Sequence, residues 1–432
     1  MRRKVIIPIV IVAAAIALLV GVLVVPARGG SGTTTSPVAV KTQPALTPLQ
    51  LIAKAAATLP NTKAVHGQFT WTNNVLGSSF QLPADAPAIA QKLWKSGTGE
   101  FWFQGGKFRL QAGNGSDQVT IVENGKTVWV YDTTSNTATQ YAIPAHRGHG
   151  MGPRMSAKPS PSTKGLSQLG HGFNMGGLSE LMSAVDMSVG AQGVAGKDAY
   201  VLAIKPTAAN TTLGSINVAF DSTTFVPLSV NVVAKDNTTV LNAAMTSVDF
   251  NAIDANQFSF TPPTGAKIVQ GNAKDHMKKA GMHKGMGAQM MGPKGKAQAR
   301  AMMKSLTVVQ AQRRVHFPLL SLTTPMTDLP FQSANVVAHK NPGPFAILRY
   351  GNGFGTVVLA EGKLADAQQK QVLDALGATN LGTSATVGGN QGTEVTTPLV
   401  SAFIWTTTDG VFHVAAGAVP QTDLEAFVTN LK

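Results

Sequence analysis

The chain has 432 residues, a formal charge of +14 from 35 Lys plus Arg against 21 Asp plus Glu, 44% hydrophobic residues and no cysteine. The missing cysteine excludes disulfides, a thiol nucleophile, Cys-ligated zinc or iron–sulfur centres and a lipid-modified N-terminal Cys. The apolar fraction excludes a wholly disordered chain, and the length suits two domains.

The positive charge is concentrated. Arg2, Arg3, Lys4 and Arg28 flank an apolar run, and the 145–176 loop holds Arg147, Arg154, Lys158 and Lys164 with no acid. Residues 271–304 carry a net +7, with Asp275 the sole acid. What remains is close to neutral, so the basic balance points to solubility or to attraction toward anionic lipid, and away from nucleic acid.

Val5 to Val25 is apolar apart from Pro8 and Gly21. At a rise of 1.5 Å per residue, a helix of this length spans about 31 Å, the thickness of a bilayer core. Basic residues precede it, which places the rest of the chain outside the cytoplasm. The run is long for a signal peptide, and Val25-Pro26-Ala27 is a poor cleavage site, so residues 1–28 read as a membrane anchor in preference to a cleaved signal. Residues 29–44 are a Gly/Ser/Thr/Pro tether.

Thr47-Pro48 followed by an apolar stripe at Leu49, Ile52, Ala53 and Ala56 predicts a capped helix. From Ala64 the period becomes two, with Val65, Phe69 and Trp71 on one strand face. A short helical insert, Ala86 to Lys95, precedes a series of strands. Asn124-Gly125 between two of them is a strong hairpin signal. After the 145–176 loop, GGLSELMSAV suggests a short helix, and strands resume at AYVLAIKP. Few helices interrupt these strands, so the sheet is expected to be antiparallel. Ile253 to Val269 closes a first domain over 45–270. The linker 271–304 leads to a small α+β domain over 305–432, opening with a helix at LTVVQAQRRV.

The first domain resembles the family of LolA and RseB, the bacterial lipoprotein-carrier and envelope-sensor fold. The matching residues are Leu51 to Trp71 with Gly67-Gln68-Phe69, Gly99 to Phe103, Gly106-Lys107-Phe108-Arg109 and, most specifically, Glu123 to Asp132. The C-terminal unit resembles a domain attached to bacterial anti-sigma factors, at Ala311-Gln312, Phe317-Pro318-Leu319, Leu348 to Gly351, Phe403-Ile404-Trp405 and Asp409-Gly410. The resemblance implies a half-open antiparallel β-barrel with helices at its mouth, holding acyl chains or a lipidated partner. It departs from the carrier pattern in the expected tether, which argues against shuttling between membranes.

No catalytic constellation emerges. The acids show no paired spacing, there is no G-x-S-x-G, and Gly351-Asn352-Gly353-Phe354-Gly355 reads as a hairpin turn because no helix follows it. The chain is therefore expected to be no enzyme and to need no cofactor. Candidate cavity residues are Phe69, Trp71, Phe101, Phe103, Trp129 and Tyr131; a one-residue slip in register would turn any of them to the other face. A second feature is the enrichment of His and Met in the two basic segments. His146, His149, Met151, Met155, His276, Met282, His283 and Met286 are donors suited to copper(I) or silver(I), set against the plainer reading of a basic linker. The sequence thus predicts a single-pass, membrane-tethered, extracytoplasmic binding protein. Its partners would be lipid or a lipidated protein and not nucleic acid. The alternatives are an RseB-like envelope-stress sensor acting on an anti-sigma factor, and metal binding by the loops.

Overall fold

The computed structural model describes residues 44–58, 62–82, 91–92, 94, 96–114, 116–143, 183–271, 305–337 and 343–432. The expected anchor and tether, and all eight candidate metal ligands, lie outside these residues. Among the described residues no helix is long and apolar enough to cross a membrane.

Helix α1 (Pro48–Thr58) begins as its sequence predicts: the Thr47 side chain accepts from the Gln50 amide, and Gln50 Oε1 accepts from the Thr47 amide. This reciprocal cap satisfies two otherwise free amide donors. Strands β1 (Ala64–Asn73), β2 (Gly97–Gln104), β3 (Lys107–Asn114), β4 (Asp117–Glu123), β5 (Thr127–Asp132) and β6 (Thr137–Ala142) form an antiparallel meander. The Asn124-Gly125 turn is confirmed: Gly125 has φ +84°, and Asn124 Oδ1 accepts from the Lys126 and Thr127 amides.

A second meander contains β7 (Val185–Val194), β8 (Lys197–Pro206), β9 (Leu213–Asp221), β10 (Pro227–Ala234) and β11 (Thr239–Asp249). It joins the first through β11 against β1, with a bulge beside Phe69. Strand β12 (Lys267–Gly271) adds to β6 in parallel, the exception in an otherwise antiparallel sheet. The resulting twelve-stranded sheet runs from β12 at one edge to β7 at the other and is not closed into a barrel.

The small domain is a seven-stranded antiparallel sheet of β13 (Phe331–Val337), β14 (Phe345–Tyr350), β15 (Val357–Lys363), β16 (Gly382–Val387), β17 (Asn390–Thr396), β18 (Ser401–Thr406) and β19 (Val411–Gly417). Three helices accompany it: α2 (Val308–Gln312), α3 (Asp366–Ala378) and α4 (Gln421–Thr429). The Gly351 to Gly355 segment is the turn between β14 and β15.

That turn does more than reverse the chain. It carries Phe354 into a core shared with Leu51, Tyr200, Leu202 and Ile204 of the large domain. Leu399 and Val400 enter the same core. A Cβ on Gly353 would lie 2.5 Å from Ala184 Cβ, so the close approach requires glycine there. Thr212 donates its amide to Ala418 O and its hydroxyl to Leu399 O, at 2.9 and 2.7 Å. A second shared core packs Leu76, Phe80 and Trp94 against Val372, Leu376 and Ile404.

Candidate functional site

Strand pairing assigns side chains to faces, because directly opposed residues point the same way. One row runs Val189–Leu202–Val218–Val230–Ala243–Trp71–Gly97 across seven strands. Leu202 shares a core with Leu51 of α1, so this row marks the inner face on which helix and small domain sit. Two further inner rows are Phe101–Leu110–Ile121–Val130 and Phe103–Phe108–Glu123–Val128.

Phe69 and Trp71 are 6% and 7% exposed. They lie flat across β2: a Cβ on Gly99 would be 2.4 Å from Phe69 Cζ, and one on Gly97 would be 2.8 Å from Trp71 Cη2. The centre of the predicted hollow is therefore filled by its own aromatic rings, which cover glycines that offer no side chain to pack. The Trp71 and Phe101 rings stand 5.6 and 6.1 Å from Phe69. Trp71 Nε1 is buried with no hydrogen-bond partner among the described residues.

One side of this floor is stoppered by charge. Lys92 Nζ lies 2.6 Å from Asp132 Oδ1 and 3.1 Å from Asp117 Oδ1, with Lys92 and Asp132 largely buried. Burial opposes ionisation of Asp132, but hydrogen bonds from Lys92 and Ser135 outweigh it and hold the carboxyl below its usual range. Away from the stopper the inner face is less covered. Phe101, Phe103, Phe108, Ile121, Val128 and Val130 are only half-buried.

The six aromatic candidates do not share one face. Phe69, Trp71, Phe101 and Phe103 are inner residues, whereas Trp129 and Tyr131 alternate with Val128 and Val130 and point outward. Their rings pack on Phe260, at 5.5 and 5.8 Å. The segment that carries Phe260 crosses the outer face; Arg109 donates to Gln257 O and the Ile253 amide to Gln104 Oε1 on the way. An element distant in sequence buries these two rings, so their aromatic character gave no sign of the face they occupy.

The outer face holds features that sequence reading missed. A cavity of about 330 Å³ has Gln68, Glu100, Gln111 and Gln118 among its walls, and their polarity makes it a poor seat for an acyl chain. Beside it the His66 ring stacks on Trp102 at 5.0 Å, and Arg109 covers that indole at 5.5 Å. Burial pulls the Arg109 guanidinium below its usual range, partly offset by Glu100. His66 Nε2 lies 2.8 Å from Glu100 Oε1. Register alone brings them together, since His66, Trp102 and Arg109 are successive cross-strand neighbours.

Among the described residues no group of three or more His, Asp or Glu is placed to hold a metal. No family model and no curated protein matches the chain. Among solved structures, the chain is similar to a MucA/MucB complex of Pseudomonas aeruginosa, with 14% identity and TM-score 0.38 over 89% of this chain and 97% of that one. It is also similar to a LolA superfamily protein of Nitrosomonas europaea, with 8% identity and TM-score 0.19 over 50% of this chain and 99% of that one. A lipoprotein-sorting protein domain of Vibrio parahaemolyticus matches at 10% identity and TM-score 0.20, over 49% of this chain and 95% of that one. The solved structures that the chain matches thus include MucB and a LolA superfamily protein.

Proposed function

We propose that this is an extracytoplasmic, membrane-tethered binding protein that takes an acyl chain, of a lipid or a lipidated protein, on the inner face of its large sheet and performs no catalysis. The observation that carries the reading is the in-register patch of Phe101, Phe103, Phe108, Ile121, Val128 and Val130, apolar except for Glu123, which stands between Phe108 and Val128. It is continuous with the filled centre yet only half-buried. A half-covered apolar surface on a sheet face gains free energy when a chain of methylenes covers it, at about 0.8 kcal/mol per buried CH₂. The ligand would lie along the patch, because Phe69 and Trp71 already occupy the centre.

The test is solvent extraction and mass spectrometry of the purified protein, together with titration by a fluorescent fatty acid. The wild type should carry or take up the acyl ligand, and Val130→Lys should weaken uptake at least about tenfold through the cost of facing a charge into that surface. An empty protein that ignores the probe rules the reading out.

A second reading, a regulator that captures a segment of an anti-sigma factor, has its own support. Strand β12 is the last strand of its sheet, and Ile268 on it is 58% exposed. An edge strand offers unpaired backbone groups to an incoming strand. Capture of an anti-sigma periplasmic segment that is abolished by Val269→Pro, with acyl binding absent, would favour this second role.

A further inference from the structure

A different surface, on the small domain, has no part in acyl binding. A cavity of about 220 Å³ is lined by Leu306, Gln310, Arg313 and Arg314 at the exit of α2. All four residues border this one cavity, so the Gln310 amide and both arginines face the same space. Among the described residues neither guanidinium meets a carboxylate. No Asp or Glu occurs between Asp275 and Asp328. Val309, on the same turn, is 63% exposed, the most exposed of the large hydrophobic residues described. The turn is anchored from beneath: Ala311 and Val315 are buried, Thr307 and Gln310 form a reciprocal cap, and Gln312 ties to Phe317 O and the Leu319 amide.

We propose that this corner of the small domain rests on an anionic membrane surface, with Arg313 and Arg314 receiving a phospholipid phosphate and Val309 entering the boundary below the headgroups. Two guanidinium groups that meet no carboxylate among the described residues fit a phosphate, and Gln310 can donate a further hydrogen bond. An exposed branched apolar side chain one turn from them suits the interface between headgroup and acyl chain.

The absence of cysteine makes the experiment clean. Val309→Cys in the full chain provides a single site for an environment-sensitive dye. The labelled protein is reconstituted into vesicles of phosphatidylcholine alone or of an equal mixture with phosphatidylglycerol. A blue shift confined to the phosphatidylglycerol vesicles and reversed by salt is expected. Arg313→Gln with Arg314→Gln should lower the ratio of docked to undocked protein about 30-fold, at about 1 kcal/mol per basic residue. Equal shifts in both vesicle types, or a shift that survives the double substitution, overturns the proposal. So does an equal shift produced in detergent by inorganic phosphate, which would make the pocket a site for a free anion.

Discussion

Asp132 shows how a single carboxylate can guard an apolar floor. Its folded pKa is depressed, so the stability it contributes is present above the ordinary carboxylate range and is lost as pH falls through the folded value. Lys92 is shifted upward: burial opposes its charge, but Asp132 and Asp117 outweigh that, so its share is lost only as pH rises past the ordinary lysine value. Asp132→Asn should therefore destabilise the protein by about 2 kcal/mol at pH 7, and the gap to wild type should close on acidification. Urea unfolding at neutral and acid pH checks this; a gap unchanged in acid would trace the loss to packing. In the small domain Glu361 and His413 are 0% and 1% exposed, with Nδ1 to Oε1 at 3.2 Å. Trp405 stacks on the imidazole, and the Leu320 amide donates to Oε1. Glu361→Ala should cost about 3 kcal/mol, since it strands that amide and the ring in an apolar core. Nearby, burial and then the charge of Glu361 push the Tyr350 hydroxyl up to about 12. The unfolded chain ionises that group first, so stability should fall as pH rises from 10 toward 12, and Tyr350→Phe should flatten that part of the profile.

At the scale of the element, β2 works because it withholds side chains. Gly97 and Gly99 admit the rings of Trp71 and Phe69, and Gly99→Val would expel Phe69 from its place. A loss of about 3 kcal/mol is expected, read by thermal unfolding, with no matching loss when Gly105, which faces open space, becomes Asn. The antiparallel meander and the Asn124-Gly125 hairpin were legible because their signals are local. Strand β7 was not: its Gly190, Ala191 and Gly193 lack the branched and aromatic side chains that mark a strand, and pairing with β8 makes it one. Strand β16 escaped as well, although Thr383, Thr386 and Val387 are β-branched, because it is short and carries a single aliphatic side chain larger than Ala. The helix read from LTVVQAQRRV shrinks to five residues because Val315, Phe317 and Leu319 all turn into the core and pull the chain out of helical period. Trp129 and Tyr131 were misplaced because alternation identifies two faces without saying which is covered, and the segment that covers theirs lies more than a hundred residues away.

At the scale of the whole molecule, the two sheets share two apolar cores and a set of backbone hydrogen bonds. Domains joined in this way should unfold together. A single calorimetric transition is expected, which Phe354→Ala combined with Leu399→Ala should split in two; two transitions in the wild type would show that the seam is weak. Among the described residues, the contacts of that seam are made by side chains outside the stretch between Gly271 and Ser305. If a protease site were engineered into that stretch and cut, the fragments should still elute as one particle, and the two pieces made separately should find each other. Covalent continuity would then serve to deliver the halves to one place, while the greasy joint around Phe354 does the holding.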